Sequence, residues 1–191
     1  MSGDHLAHRI DRIESQLAIQ QLPIRYAVAV DGRDIDAWVD LFVTDVDCGR
    51  AGKGRDALRG MIVEGLRGFY RSVHQICGHQ IDFADADSAT GIVYCRAEHE
   101  DRGKWIVMAI AYFDQYARRD GRWYFVRRKE KHWYYADAAE RPTAPFLGWP
   151  GHETVPRLPG DFPAWSHFWD AVPADEVRQL TDMPVGDRRG G

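Results

Sequence analysis

The stretch "SVHQICGHQIDF", Ser72 to Phe83, is where the hydrophobic period of this chain changes. Upstream of it, apolar residues recur at helical spacing; from it onward they alternate. Four strand-like segments follow in the order His74–Phe83, Gly91–Asp101, Trp105–Ala117 and Arg122–Tyr135. The breaks between them, "ADADSA", "DRG" and "RRDGR", are short and polar, as hairpin turns require. Upstream, Leu6, Ile10, Ile13 and Leu17 share one face of a helix over residues 5–30, which Pro23 should bend or divide. "DGRD" is a turn, and Asp34 is placed to cap a short helix in "IDAWVDLF" with Ile35, Trp38, Val39 and Phe42 inward. A third helix fits Asp56–Arg71, with Leu58, Met61, Ile62, Leu66 and Phe69 as its apolar stripe. Helices followed by an antiparallel meander predict an α+β fold, with helices covering one face of a curved sheet.

The remaining composition narrows the function. The chain has 191 residues, enough for one domain with a proper core, and 45% hydrophobic with 28% charged residues is ordinary for a soluble globular protein. A net charge of −4 offers no basic footprint for nucleic acid. No apolar run is long enough to span a bilayer, and "MSGDHLAHRIDRIES" has no apolar signal core, so we expect a cytoplasmic protein without a membrane partner. Cys48, Cys77 and Cys95 are few, odd in number and not in paired spacing, which predicts free thiols. Aromatics make up 12% and serve either the core or a pocket for a ring-bearing ligand. All of the nine prolines except Pro23 lie beyond residue 140, in a stretch rich in Pro and Gly with Trp and Phe among them. The expected organisation is a domain over residues 1–137 and an extension over residues 138–191 that packs on that domain or on a neighbouring subunit. Within the extension, "AWSHFWDAV" and "ADEVRQL" are candidate short helices.

On "GIVYCRAEH" the alternate residues Gly91, Val93, Cys95 and Ala97 are small and apolar, so that face points inward and carries His99 with it. A hairpin centred between Ala86 and Asp87 would set His74 directly opposite His99, with Cβ atoms roughly 5 Å apart. Two neighbouring imidazoles on an inner face make a proton-transfer site when burial or a carboxylate tunes them; the alternative is a hydrogen-bonded core pair. Tyr94, Arg96 and Glu98 face outward and could form a subunit interface. "VRRKEKHWYY" alternates charge and reads as a solvated face with His132 exposed. His79 and Asp82 fall on opposite faces of their strand and make no second pair.

The stretch "RYAVAVDGRDIDAWVDLF" resembles the signature of the SnoaL-like, nuclear transport factor 2-like superfamily, through Arg25, Tyr26, Asp31, Asp34, Trp38, Leu41, Phe42 and Asp45. "AIAYFDQYARRDGRWYF" is similar to the family's third strand, hairpin and final strand, and the likeness covers roughly residues 8–136. It implies a cone-shaped α+β barrel with a mostly antiparallel sheet, commonly assembled as a homodimer or homotrimer. In active-site pattern the chain most resembles the scytalone dehydratases and the hexachlorocyclohexane dehydrochlorinases. Asp31 matches the aspartate that ends the first helix, and His74 and His99 match the two histidines on adjacent strands. Where the dehydratases hold a water with tyrosines, this chain has Val30 and a site near Cys48; where they place serine and asparagine, it has Ile110 and Tyr112.

The resemblance therefore implies a cofactor-independent lyase that uses His74, His99 and Asp31 for acid–base chemistry, with loss of water as its first expectation. His74 is the leading base; His99, paired with Asp31, is acid or second base. Loss of halide, isomerisation and retro-aldol release of an aldehyde need the same parts. Candidate substrate-binding residues are Tyr26, Val30, Trp38, Cys48 and Tyr112, with Tyr116 a further phenol, and the expected ligand is a hydrophobic aromatic, polyketide-like or steroid-like ring. No metal ligand set is assigned, although two histidines and one carboxylate nominally suit iron. The competing reading is a non-catalytic binding module, or a protein like the small subunit of a ring-hydroxylating dioxygenase.

Overall fold

The computed structural model describes residues 3–139, together with residues 161, 162, 166, 170 and 173–175. The chain divides into two units, Met1–Pro156 and Arg157–Gly191, and every element below lies in the first. The expectations for residues 138–191 lie almost wholly outside the described residues.

Helix α1 (Gly3–Asp31) runs as one element through Pro23, so Pro23 does not divide it. Pro23 is buried with Ile19, Leu22, Ala27, Ala29 and Val30, and this packing holds the helix through the lost backbone donor. The stripe Leu6, Ile10, Ile13 and Leu17 is exposed on this chain, because α1 buries a different face. Asp34 caps α2 (Ile35–Val39) as expected, accepting from the backbone N–H of Ala37 at 2.9 Å. Helix α3 (Arg55–Leu66) ends five residues before Arg71, the end expected from the sequence. Past Gly68 the backbone N–H of Tyr70 bonds to Glu100 O at 2.9 Å, and the chain enters the sheet.

The sheet is an antiparallel meander of β1 (Arg71–Phe83), β2 (Ser88–Asp101), β3 (Lys104–Arg119) and β4 (Arg122–Asp137), in that spatial order. The helices pack on one face of it, as the sequence predicts. One end of the core gathers Trp38, Phe42, Tyr116, Trp123 and Phe125 between helices and sheet; a second cluster of Val93, Cys95, Met108, Ile110 and Tyr135 lines the other end. No helix among the described residues is long and apolar enough to cross a membrane. All three cysteines are free.

Three bulges decide which side chains enter the interior. The β1–β2 pairing sets Ser72 opposite His99 and His74 opposite Ala97, so the two histidines are diagonal rather than direct neighbours. The hairpin centres on Ala86 (Phe83 pairs with Ala89), and a bulge at Cys77 shifts the register once more. That bulge also switches the inward positions of β1 from Ser72, His74 and Ile76 to His79, Ile81 and Phe83. On β4, pairing shifts between Phe125 and Arg127 and again between His132 and Tyr134. The inward residues therefore pass from Trp123 and Phe125 to Arg128, Glu130 and His132, then to Tyr135. "VRRKEKHWYY" is thus not a purely solvated face, and His132 is not on the outside: its side chain is 16% exposed and lines the interior cavity.

Candidate active site

Asp31 is the last residue of α1, and the turn after it brings α1 against the start of β1. Its carboxylate takes three hydrogen bonds. The Ser72 hydroxyl donates to Oδ1 at 2.8 Å, the backbone N–H of His74 to Oδ2 at 2.8 Å, and the His74 ring Nδ1 to Oδ1 at 2.7 Å. Because a carboxylate only accepts, Nδ1 carries a proton, and Nε2 is the ring nitrogen left to exchange protons with a bound molecule. Burial pushes the Asp31 carboxyl up, but the His74 and Ser72 hydrogen bonds outweigh it and hold it below the usual carboxylate range. Arg33, in the left-handed backbone region, clamps this junction by donating to Val30 O at 2.8 Å, Tyr70 O at 3.1 Å and Ser72 Oγ at 3.3 Å.

His99 stands edge-on to His74, with ring centroids 5.5 Å apart, and edge-on to Phe69 at 4.5 Å. Burial, reinforced by the neighbouring His74, drops its pKa to about 4, so it is neutral near pH 7. His74 and His99 line a cavity of about 220 Å3 together with Val30, Phe69, Tyr112 and Tyr135. An adjoining lobe of about 360 Å3 is lined by Trp38, Cys48, Met61 and Arg128. Tyr26, Ile62, Tyr112 and Glu130 line both lobes. All the candidate residues but Tyr116 thus converge: Asp31 through its bond to His74, the rest on the cavity walls. Burial raises the Tyr26 phenol to about 12 and raises that of Tyr112 as well, so both remain hydrogen-bond donors. Tyr116 lies outside these walls, with its hydroxyl committed to Asp114 at 2.7 Å.

That bond belongs to a buried network unseen in the sequence. Arg128 Nε and Nη2 donate to the two oxygens of Asp114 at 2.9 and 2.6 Å, while the Tyr116 hydroxyl also meets His79 Nε2 at 2.9 Å. The Arg128 guanidinium lies 4.2 to 4.4 Å from the ring centres of Tyr112, Phe125 and Tyr26, in cation–π contact. Its remaining nitrogen, Nη1, is buried without a hydrogen-bond partner among the described residues. Such a donor is costly to leave unmet. Gly91 is required beside this network, since a Cβ there would sit 2.6 Å from Gln80 O and 3.0 Å from His79 Nε2.

Residues 11–129 of the chain match the sequence model of the SnoaL-like domain. The chain belongs to this family. No curated protein matches it. Among solved structures, this SnoaL-like protein is similar to the hexachlorocyclohexane dehydrochlorinase LinA, at 27% identity and a TM-score of 0.63, covering 72% of this chain and 98% of that one. It is similar to a LinA-type3 dehydrochlorinase from Novosphingobium barchaimii, at 23% identity and a TM-score of 0.63, with 72% and 99% coverage. A provisionally named scytalone dehydratase from Novosphingobium aromaticivorans shares 24% identity with a TM-score of 0.60, covering 74% and 98%.

Sequence reasoning missed Ser72, Arg33, Arg128, Glu130 and His132. Ser72 lies two residues before His74 and shares its inward face, a signal that was available. The β4 residues carried no such signal, because a bulge leaves no mark in an alternating pattern. Among the described residues no group of three His, Cys, Asp or Glu side chains is placed to hold a metal ion; Asp31 and His74 turn their donor atoms toward each other.

Proposed function

We propose that this SnoaL-like protein is a lyase that eliminates a small leaving group, water first, from a hydrophobic ring-bearing molecule, using its own side chains for acid–base chemistry. The observation that carries this reading is the Asp31–His74 pair at 2.7 Å, set at the wall of a largely apolar cavity with the second nitrogen of His74 unbonded to Asp31. His74 Nε2 takes a proton from carbon, the freed electron pair forms the double bond, and the leaving group departs. Asp31 fixes the tautomer and stabilises the imidazolium that forms. His99, held neutral, serves as a hydrogen-bonding wall or second base rather than as an acid. Tyr26 and Tyr112 offer phenol donors, and Arg128 Nη1 offers a fixed positive donor for charge developing on a substrate oxygen or a departing halide. The dehydrochlorinase and dehydratase names of the structural neighbours support elimination chemistry.

The test is a screen of hydroxylated and halogenated ring compounds by absorbance and mass spectrometry, with wild type beside His74→Ala, Asp31→Asn and His99→Ala. The expected result is turnover that falls by orders of magnitude in folded His74→Ala and Asp31→Asn. Tight binding with no chemical change in wild type would instead identify a binding module, and turnover indifferent to His74 would place the chemistry elsewhere.

A further inference from the structure

The cavity holds a second carboxylate–imidazole pair. The β4 bulge between Phe125 and Arg127 turns Glu130 and His132 to the cavity side together, and His132 Nε2 bonds Glu130 Oε1 at 2.6 Å. His132 also stands edge-on to Tyr135, with ring centroids 5.4 Å apart. Their neighbours Lys129 and Lys131 point the other way: Lys129 lines a groove with Asp82, Gln115 and Arg127, and Lys131 lies over the Phe113 ring at 4.5 Å. The His132 side chain is 16% exposed and that of Glu130 39%, and both line the cavity; a carboxylate–imidazole pair on a wall otherwise rich in aromatic and aliphatic side chains needs a reason.

The position of the pair suggests the reason. β1 and β4 are the two edges of the sheet, yet His74 from one edge and His132 from the other line the same cavity. A molecule held there meets one imidazole pair from each edge. Elimination of water needs that arrangement, because hydroxide is a poor leaving group and must be protonated as it departs. A base alone suffices when the leaving group is already a weak base, as halide is.

On the lyase reading above, we propose that His132 is a catalytic residue that protonates the departing oxygen, with Glu130 as its positioning residue, and that the substrate is accordingly a ring-bearing alcohol. His74 Nε2 removes the proton from carbon, and the C–H pair becomes the new π bond. The C–O bond breaks with its pair staying on oxygen, and Nδ1–H of the His132 imidazolium delivers the proton that makes water. One proton is gained at His74 and one lost at His132, so exchange with solvent restores both.

The experiment compares two probes that share one product: the β-hydroxy ketone formed from benzaldehyde and acetone, and its β-chloro counterpart. Both give the same conjugated enone, read by absorbance, while free benzaldehyde would report retro-aldol cleavage. The expected result is that His132→Gln lowers kcat on the hydroxy probe by about 10² to 10⁴-fold with KM little changed, and far more than it lowers kcat on the chloro probe. Glu130→Gln should follow in the same sense with a smaller loss, and His74→Ala should suppress both probes alike. Thermal unfolding checks that each variant folds, and His132→Asn serves if the Gln variant does not. Equal losses on both probes in the β4 variants, or no loss on either, would overturn the acid role while leaving the His74 reading intact. Failure of wild type on both probes would overturn the lyase reading, and this proposal with it.

Discussion

The two edges of the sheet solve one problem in different ways. On the β1 edge the carboxylate comes from another element: Asp31 lies at the end of α1, 43 residues from His74, and three donors fix it in place. On the β4 edge the carboxylate is two residues from its imidazole on the same strand, and a single bond joins them. The first pair depends on the docking of α1 against β1; the second depends on the local backbone of β4. A pair assembled across elements is rigid but coupled to tertiary packing, whereas a pair built on one strand needs only its bulge. A base that must meet a carbon-bound proton benefits from the first kind of placement.

The comparison is most severely tested by His74→Ala, which should lower kcat/KM by about 10² to 10⁴-fold in steady-state kinetics while the protein stays folded. Next in size is Arg128→Met, which leaves Asp114 buried without its cation and should cost about 3 to 5 kcal/mol in denaturant unfolding. It should also disturb the β4 edge more than the β1 edge, visible as a larger change in the His132 ring resonances than in those of His74. The pH dependence comes third. His99 has a folded pKa of about 4 against an ordinary 6.5, so the unfolded chain binds the extra proton first. Its contribution to stability is complete above about 6.5 and is lost as pH falls toward about 4; unfolding curves of His99→Phe should be flatter across that window than those of wild type. Arg33→Ala removes the clamp at the α1–β1 junction and should cost about 1 to 2 kcal/mol, with kcat falling on both elimination probes because His74 loses its seat. The smallest effect belongs to Arg96→Gln on the outer face, where the ion pair with Glu98 is solvated; a loss above about 1 kcal/mol, or any change in turnover, would contradict the inward assignment of the chemistry.

Most of the fold was legible in the chain. The four strands appear where alternation places them, β2 buries Val93, Cys95, Ala97 and His99 as read, and Asp34 caps its helix. The eight candidate residues fall around one pair of lobes, seven on the walls and Asp31 through its bond to His74; His99 is legible from the small apolar face of β2 that carries it. The failures share a cause. α3 stops at Leu66 although Phe69 continues its apolar stripe, because the next residue, Tyr70, already pairs with Glu100 in the sheet. The outward stripe of α1 was indistinguishable from an inward one, since a period shows that a face is apolar but not what it meets.

Local chemistry by itself determined the element order, the turn residues and the presence of Asp31, His74 and His99 at element ends, because helix period, strand alternation and capping are written within a few residues. Only the tertiary structure decided the register of β1 on β2, the inward turn of Arg128, Glu130 and His132, and the meeting of both sheet edges at one cavity. A bulge adds one unpaired residue to satisfy pairing with a distant strand, and that partner's backbone leaves no trace in the local sequence.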